Sequence, residues 1–304
     1  MALEKILIIG AGSMGQGIAE GIATTGTEVI LLDRTARLAE RGIERIGENI
    51  DREIDKWGLT QADKKAILSR IIPSTDLQVA KIARLIFESI PEKLRYKKEL
   101  FQKLDDLCPA ETIFITNTST ISVTELASVT NRQDRIIGMH FLHPVPRIPV
   151  VEIVRGMKTS DETYAIACEV ADLLGKTPVE VFEYPGYITT RVIIPLLNEA
   201  MHVLMEGVAT AEHIDTAIKL GYGFNMGPLA LADQMGLDVV MSWMENLLDK
   251  LSEHKYNPCP LLRKMVRAGY LGVKTRQGFF KYDHDGNRIP GKTPFVGKSQ
   301  SMQP

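Results

Sequence analysis

Near the start of the chain, Gly10-Ala11-Gly12-Ser13-Met14-Gly15 spells a GxGxxG loop between an apolar run at residues 5–9 and a helical pattern at residues 16–25. In that setting each glycine has a task. Gly10 allows a sharp turn, Gly12 lets the backbone approach a pyrophosphate, and Gly15 lets helix and strand pack closely. Phosphates would sit over Ser13 and Met14 at the helix N-terminus, where free N–H groups and the helix dipole favour anions. Asp33 ends the next apolar run, 18 residues beyond Gly15. A carboxylate there accepts hydrogen bonds from an adenine ribose and repels a 2′-phosphate, which favours NAD over NADP. The neighbouring Arg34 pulls the other way.

Dinucleotide binding does not define a reaction. Hydride transfer between a nicotinamide and an alcohol also needs a group that takes or gives the hydroxyl proton, and histidine suits that work. His140 follows an apolar run at residues 136–139, at the strand end where open α/β sheets place their ligands. Glu152 lies 12 residues on, in the next apolar run, and Pro144, Pro146 and Pro149 stiffen the loop between them. That loop can bring Glu152 beside one ring nitrogen of His140 and so fix its tautomer. Position alone fits a core histidine equally well. A metal site from His140, His143 and Glu152 is not expected, because residues 140 and 143 of a continuing strand face opposite sides. Asn117-Thr118-Ser119-Thr120 offers short hydroxyl and amide groups at another strand end. These suit a ribose or a substrate carbonyl, or ordinary turn chemistry.

The elements that must position these groups read as strands at residues 5–9, 28–32, 85–88, 112–116, 136–139 and 150–154, separated by helices. Gly26 is the expected C-cap of the first helix. Thr60 with Asp63, and Ser122 with Glu125, are spaced to cap two more. The alternation predicts a Rossmann-type, doubly wound α/β domain with parallel strand pairing. From residue 187 the patterns are helical. Ile188, Val192, Leu196, Ala200 and Leu204 recur every four residues as an expected buried face. Helices are also expected at 210–220, closed by Gly221, and at 229–248. The turn Tyr184-Pro185-Gly186 divides the chain into an α/β domain at 1–184 and an all-α domain at 185–285, with a loose polar tail at 286–304.

The 304 residues are 44% hydrophobic and 24% charged with a net charge of −2, so a globular fold is expected and a nucleic-acid partner held by bulk positive charge is not. Cys108, Cys168 and Cys259 are widely spaced and odd in number, which reads against a disulfide framework or structural zinc and for a reducing, cytoplasmic setting. The apolar stretch at 187–205 carries Arg191, Asn198, Glu199 and His202, so it reads as a core helix and no membrane association is expected. The first residues lack the basic region and cleavage site of a signal peptide.

Taken in order, the motifs resemble those of the short-chain 3-hydroxyacyl-CoA dehydrogenases, the 3-hydroxybutyryl-CoA dehydrogenases among them. The resemblance rests on the glycine loop continued by Gln16-Gly17-Ile18-Ala19, on Asn117-Thr118-Ser119, and on Gly138-Met139-His140-Phe141 with Pro144-Val145-Pro146. It continues through Val151-Glu152-Ile153, Asp215-Thr216-Ala217, Gly227-Pro228 and Gly278-Phe279-Phe280-Lys281-Tyr282. It implies NAD-dependent, reversible oxidation of an (S)-3-hydroxyacyl-CoA thioester to the 3-ketoacyl-CoA. His140 would take the hydroxyl proton, Glu152 would orient His140, and Ser119 would hydrogen-bond the substrate oxygen. Glu88, Glu92, Lys97 and Asn117 match family positions near the cofactor, and Lys56 matches one that contacts CoA. The resemblance also implies a substrate cleft between the domains and a homodimer through the helical domain. Two positions depart from the family pattern. Thr190 stands where the family's Gly-Phe-x-x-Asn-Arg has a substrate-contacting asparagine, and His143 stands where asparagine is usual. Losing a donor beside developing charge costs roughly 10²–10³ in rate, and with both changes around the substrate an acyl group or leaving geometry unlike that of a simple 3-hydroxybutyryl enzyme is expected. Two other expectations stay open: a 3-hydroxy acid dehydrogenase without CoA, similar to λ-crystallin, and a weakly catalytic NAD-binding protein.

Overall fold

The computed structural model describes residues 6–54 and 58–291. Its contacts divide into two compact units, one ending at Tyr187 and one beginning at Ile188.

In the first unit, short runs of β-branched and aliphatic residues form buried strands. The chain order is β1 (Ile6–Ile9), α1 (Ser13–Thr24), β2 (Val29–Leu32), α2 (Ala36–Ile54), α3 (Gln61–Ser69), β3 (Ile71–Ser74) and β4 (Leu85–Glu88). There follow α4 (Leu94–Leu107), β5 (Ile113–Thr116), α5 (Val123–Ala127), β6 (Ile136–Phe141), β7 (Val150–Arg155), α6 (Asp161–Leu173) and β8 (Thr177–Phe182). The eight strands form one sheet in the order β3-β2-β1-β4-β5-β6-β7-β8. Strands β1 to β6 are parallel. The chain leaves β1 to one side and returns on the other as β4, which makes the switch point where such sheets bind ligands. Side chains alternate between two cores. Ile6, Ile8, Met139, Phe141, Val151 and Ile153 pack with α1, α2 and α6, and Leu7, Ile9, Ile136 and Val154 pack with α4 and α5. Both faces are covered, as a mostly parallel sheet requires.

Some sequence expectations are corrected here. The first helix begins at Ser13, three residues early, with Gly12 as its N-cap, and Thr25 rather than Gly26 is its C-cap. Strand β6 runs on through His140 and Phe141, so His140 lies within the strand and does not follow it. Strand β7 pairs antiparallel with β6, and β8 runs parallel to β7. The expected capping pairs are present: Thr60 and Asp63 close a full capping box on α3, and the Ser122 hydroxyl accepts from the Glu125 N–H.

The second unit is helical, with α7 (Thr189–Met205), α8 (Ala211–Tyr222), α9 (Pro228–Met235), α10 (Leu237–Leu251) and α11 (Pro260–Arg267). The buried face of α7 is Ile194, Leu197, Ala200, Met201 and Leu204, while Ile188 and Val192 are exposed. A strict four-residue repeat advances about 40° per step round a helix, so it walks off one face within a few turns. Helix α8 runs on past Gly221 to Tyr222, with Gly223 as its cap. The expected helix at 229–248 is two helices, broken at Gly236. The motif residues here are structural. Asp215 accepts the N–H groups of Leu229 (2.8 Å) and Ala230 (2.9 Å) at the start of α9. Asp233 accepts from the backbone of Phe279 and Phe280 and from the Tyr282 hydroxyl, each at 2.9 Å. Part of the expected loose tail is ordered: the Ile289 N–H donates to the Lys281 carbonyl (2.8 Å), and Arg288 stacks over Phe280.

Candidate active site

The glycine loop lies where β1 meets α1. Gly10 has φ +109°, and a Cβ there would fall 2.5 Å from the Ser89 carbonyl oxygen, so only glycine makes this turn. A Cβ on Gly15 would fall 1.8 Å from the Gly10 carbonyl oxygen, which packs the helix onto the loop. Gly12 is different: a Cβ there meets nothing within 4 Å. No side chain caps α1, so the first-turn amides of Ser13 and Met14 are oriented for an anion. Asp33 closes the loop from β2. Its carboxylate accepts from the Ala11 N–H (2.8 Å) and the Arg34 N–H (2.6 Å). Each oxygen keeps a lone pair that can accept from a ribose hydroxyl. These residues fit the pyrophosphate and ribose of a dinucleotide.

The end of β4 carries a buried ionic cluster. Lys97, from α4, has its Nζ 2.8 Å from both Glu88 oxygens and 3.2 Å from Glu92 Oε2. Glu88 also accepts from Thr116 Oγ1 (2.6 Å) and the Ile90 N–H (2.8 Å). Glu92 Oε1 accepts from the Thr118 hydroxyl, from the backbone N–H groups of Ser119 and Thr120 (both 3.1 Å), and from Thr120 Oγ1 (3.2 Å). Burial works to raise the Glu92 carboxyl, but the Lys97 charge and these hydrogen bonds outweigh it and hold its pKa below the usual carboxylate range. Burial likewise opposes charge on Lys97, and the two glutamates outweigh it, so the ammonium is held more firmly than usual. The cluster therefore clamps the loop that carries Ser119. Asn117, at the head of that loop, accepts the Phe141 N–H at 3.0 Å. This ties the end of β5 to the strand of His140 and leaves the Asn117 amide nitrogen as a donor.

His140 and Glu152 are direct cross-strand partners in the antiparallel β6–β7 register. His140 Nδ1 lies 2.5 Å from Glu152 Oε2, and both side chains are almost fully buried. The sequence suggests a proline-stiffened loop folding Glu152 back toward His140; the sheet ladder is what fixes the pair. His143 sits on that loop, exposed, before a cis peptide bond to Pro144. Partial desolvation holds its pKa below the ordinary histidine value. Tyr187, to which the sequence reading gives no role, packs its ring on His140 with centroids 5.5 Å apart. The only signal for it was its place in the Gly186-Tyr187 motif. Thr190 lies in the first turn of α7, in the helical unit, and is buried. Lys56 lies outside the described residues. Among the described residues no cluster of three or more His, Cys, Asp or Glu side chains could hold a metal ion.

This edge of the sheet can bind a dinucleotide and move a proton, the two requirements of a nicotinamide-dependent alcohol dehydrogenase. Residues 5–184 match the family model for the NAD binding domain of 3-hydroxyacyl-CoA dehydrogenase, and residues 186–282 match the model for its C-terminal domain. The chain belongs to the 3-hydroxyacyl-CoA dehydrogenase family, whose first domain binds NAD. It is 44% identical over 283 residues to a probable 3-hydroxybutyryl-CoA dehydrogenase of Bacillus subtilis, covering 93% of this chain and 99% of the relative. It is 42% identical over 279 residues to 3-hydroxybutyryl-CoA dehydrogenase of Clostridioides difficile, covering 92% and 99%. The crystal structure of (S)-3-hydroxybutyryl-CoA dehydrogenase from Ralstonia eutropha superposes with a TM-score of 0.84 at 41% identity, covering 92% of this chain and 99% of that one.

Proposed function

We propose that this protein interconverts (S)-3-hydroxyacyl-CoA and 3-ketoacyl-CoA thioesters, with His140 and Glu152 handling the proton. NAD, when bound, supplies the acceptor for the hydride that leaves C3 of the substrate. Gly12, Ser13 and Met14 hold its pyrophosphate and Asp33 its ribose. The observation that carries the reading is the 2.5 Å contact of His140 Nδ1 with buried Glu152, on the sheet edge that carries the glycine loop. The carboxylate keeps the proton on Nδ1, so the Nε2 lone pair faces the substrate hydroxyl. In oxidation Nε2 takes that proton, and Glu152 stabilises the imidazolium that forms. In reduction Nε2 returns it to the ketone oxygen. Ser119 donates to the same oxygen from a loop held still by Glu92. In this reading Lys56 serves the CoA moiety, and Thr190 and His143 select an acyl group other than plain 3-hydroxybutyryl.

Cytoplasmic residence fits the free thiols of Cys108, Cys168 and Cys259. Among the described residues no helix is long and apolar enough to cross a membrane. Assembly as a homodimer through the helical unit is supported by the exposed apolar side chains of Val192, Val208, Leu220 and Tyr222. The test is NADH absorbance with acetoacetyl-CoA and a panel of longer and branched thioesters. His140→Asn is expected to abolish turnover and leave NADH binding intact. Turnover surviving in that variant refutes the assignment.

A further inference from the structure

One hydrogen bond does not hold an imidazole still, because the ring can still tilt about its link to Glu152. A second restraint is present. The Tyr187 ring packs on His140 at 5.5 Å between centroids, inclined by 59°. Tyr187 is buried among the side chains that cover this face of the sheet. Its backbone has φ +49°, directly after Gly186 at φ +84°. A bulky residue at positive φ is a true outlier that costs roughly 1–3 kcal/mol, and glycine or asparagine would make the same turn with less strain. The turn therefore does not explain the tyrosine.

The hydroxyl has partners of its own, the Thr118 side chain and, in a long contact of 3.4 Å, the Ile121 carbonyl, so ring and hydroxyl must be separated by experiment. Burial, together with the carboxylates of Glu92, Glu183 and Glu152, pushes the phenol pKa well above its ordinary value. The raised pKa keeps the phenol in its neutral form.

We infer that Tyr187 is a positioning residue whose ring walls one side of the His140 imidazole and fixes its tilt, so that Nε2 keeps one bearing while Glu152 holds Nδ1. This rests on the reading of His140 as the acid/base group. The strain at residue 187 is then retained because it places an inclined aromatic ring against the working ring.

The test compares Tyr187→Leu with Tyr187→Phe. Leu keeps apolar bulk and removes the aromatic ring; kcat should fall roughly 10- to 100-fold, as misplacement of a reacting group does, with KM for NADH within twofold. The pH profile of kcat should shift, and the downfield proton resonance of His140 Nδ1–H should broaden. Tyr187→Phe should recover rate, profile and resonance. Should the leucine variant fail to fold, Tyr187→Met carries the same expectations. Wild-type kcat and resonance in a folded Leu or Met variant overturn the inference, as does a Phe variant as slow as Leu, which would make the hydroxyl the active part. His140→Asn is the control. If it is inactive while Tyr187→Leu is normal, only this inference fails; if it stays active, the acid/base reading fails first.

Discussion

Replacing Glu152 by glutamine isolates what the carboxylate does for the imidazole. Glutamine keeps the shape and one acceptor oxygen, so the cross-strand pair can persist while the charge is lost. In the native pair the carboxylate is 2.5 Å from Nδ1 and nearly fully buried. The imidazolium charge is spread over the ring, so an effective separation of roughly 4 Å and an effective dielectric of roughly 20 give about 4 kcal/mol of attraction. On the proposed mechanism that attraction is gained as His140 takes the proton in oxidation, so losing it lowers kcat for oxidation about a thousandfold. An amide turned to present its NH2 would also favour the wrong tautomer and deepen the loss. The assay is NADH absorbance, followed as consumption with acetoacetyl-CoA and as formation from (S)-3-hydroxybutyryl-CoA with NAD, with NADH affinity and melting temperature measured alongside. Glu152→Asp, which keeps the charge, should recover part of the rate. A folded Glu152→Gln variant with kcat within tenfold of wild type would refute the electrostatic role.

Two further outcomes follow from buried charge. Lys97→Met strips the cation from Glu88 and Glu92 and should destabilise the protein by roughly 3–5 kcal/mol, as measured by denaturant unfolding; a loss below about 1 kcal/mol counts against the cluster. Burial of Glu20 on α1, set against the weaker opposing charge of Arg147, pushes its pKa from 4.5 up to about 7. Its folded pKa is raised, so the stability that Glu20 contributes is greatest at low pH, falls as pH rises from about 4.5 to about 7 while the unfolded chain ionises first, and levels off above that. Glu20→Gln should remove that slope and add up to roughly 3 kcal/mol at neutral pH, and unfolding at stepped pH checks it.

Local chemistry was the most legible part of the sequence. The Thr60 and Ser122 caps depend on neighbours three residues away and appear where the spacing puts them, and the glycine loop joins β1 to α1 as its pattern suggests. Strand direction was not legible. Residues 150–154 read the same parallel or antiparallel, since a buried strand carries no mark of polarity. The His140–Glu152 pairing could therefore be suspected from the sequence while its cause could not. The sequence patterns do not mark helices α2, α4, α6 and α11 or strands β3 and β8; α2 and α4 are so rich in charge that their narrow buried stripes are hard to see. The joint use of Glu88, Glu92 and Lys97 was also invisible as physics, because it depends on a long-range meeting of β4, α4 and the loop after β5. Tyr187 escaped because nothing in an aromatic residue's identity announces a left-handed backbone.

The His140–Glu152 pair is written into a hairpin ladder, so the ladder and not the 142–149 connection sets their meeting. Facing partners on paired strands stay together only while the ladder keeps step, and a slip of one residue would send Glu152 to the opposite side of the sheet. Met139, Phe141, Val151 and Ile153, anchored in the other core, hold that step from behind. The loop between the strands is held as well, with Val145 in the same core and the Lys176 ammonium donating to the Val145 and Ile148 carbonyls, so only exposed positions such as His143 can change freely while His140 and Glu152 still face each other.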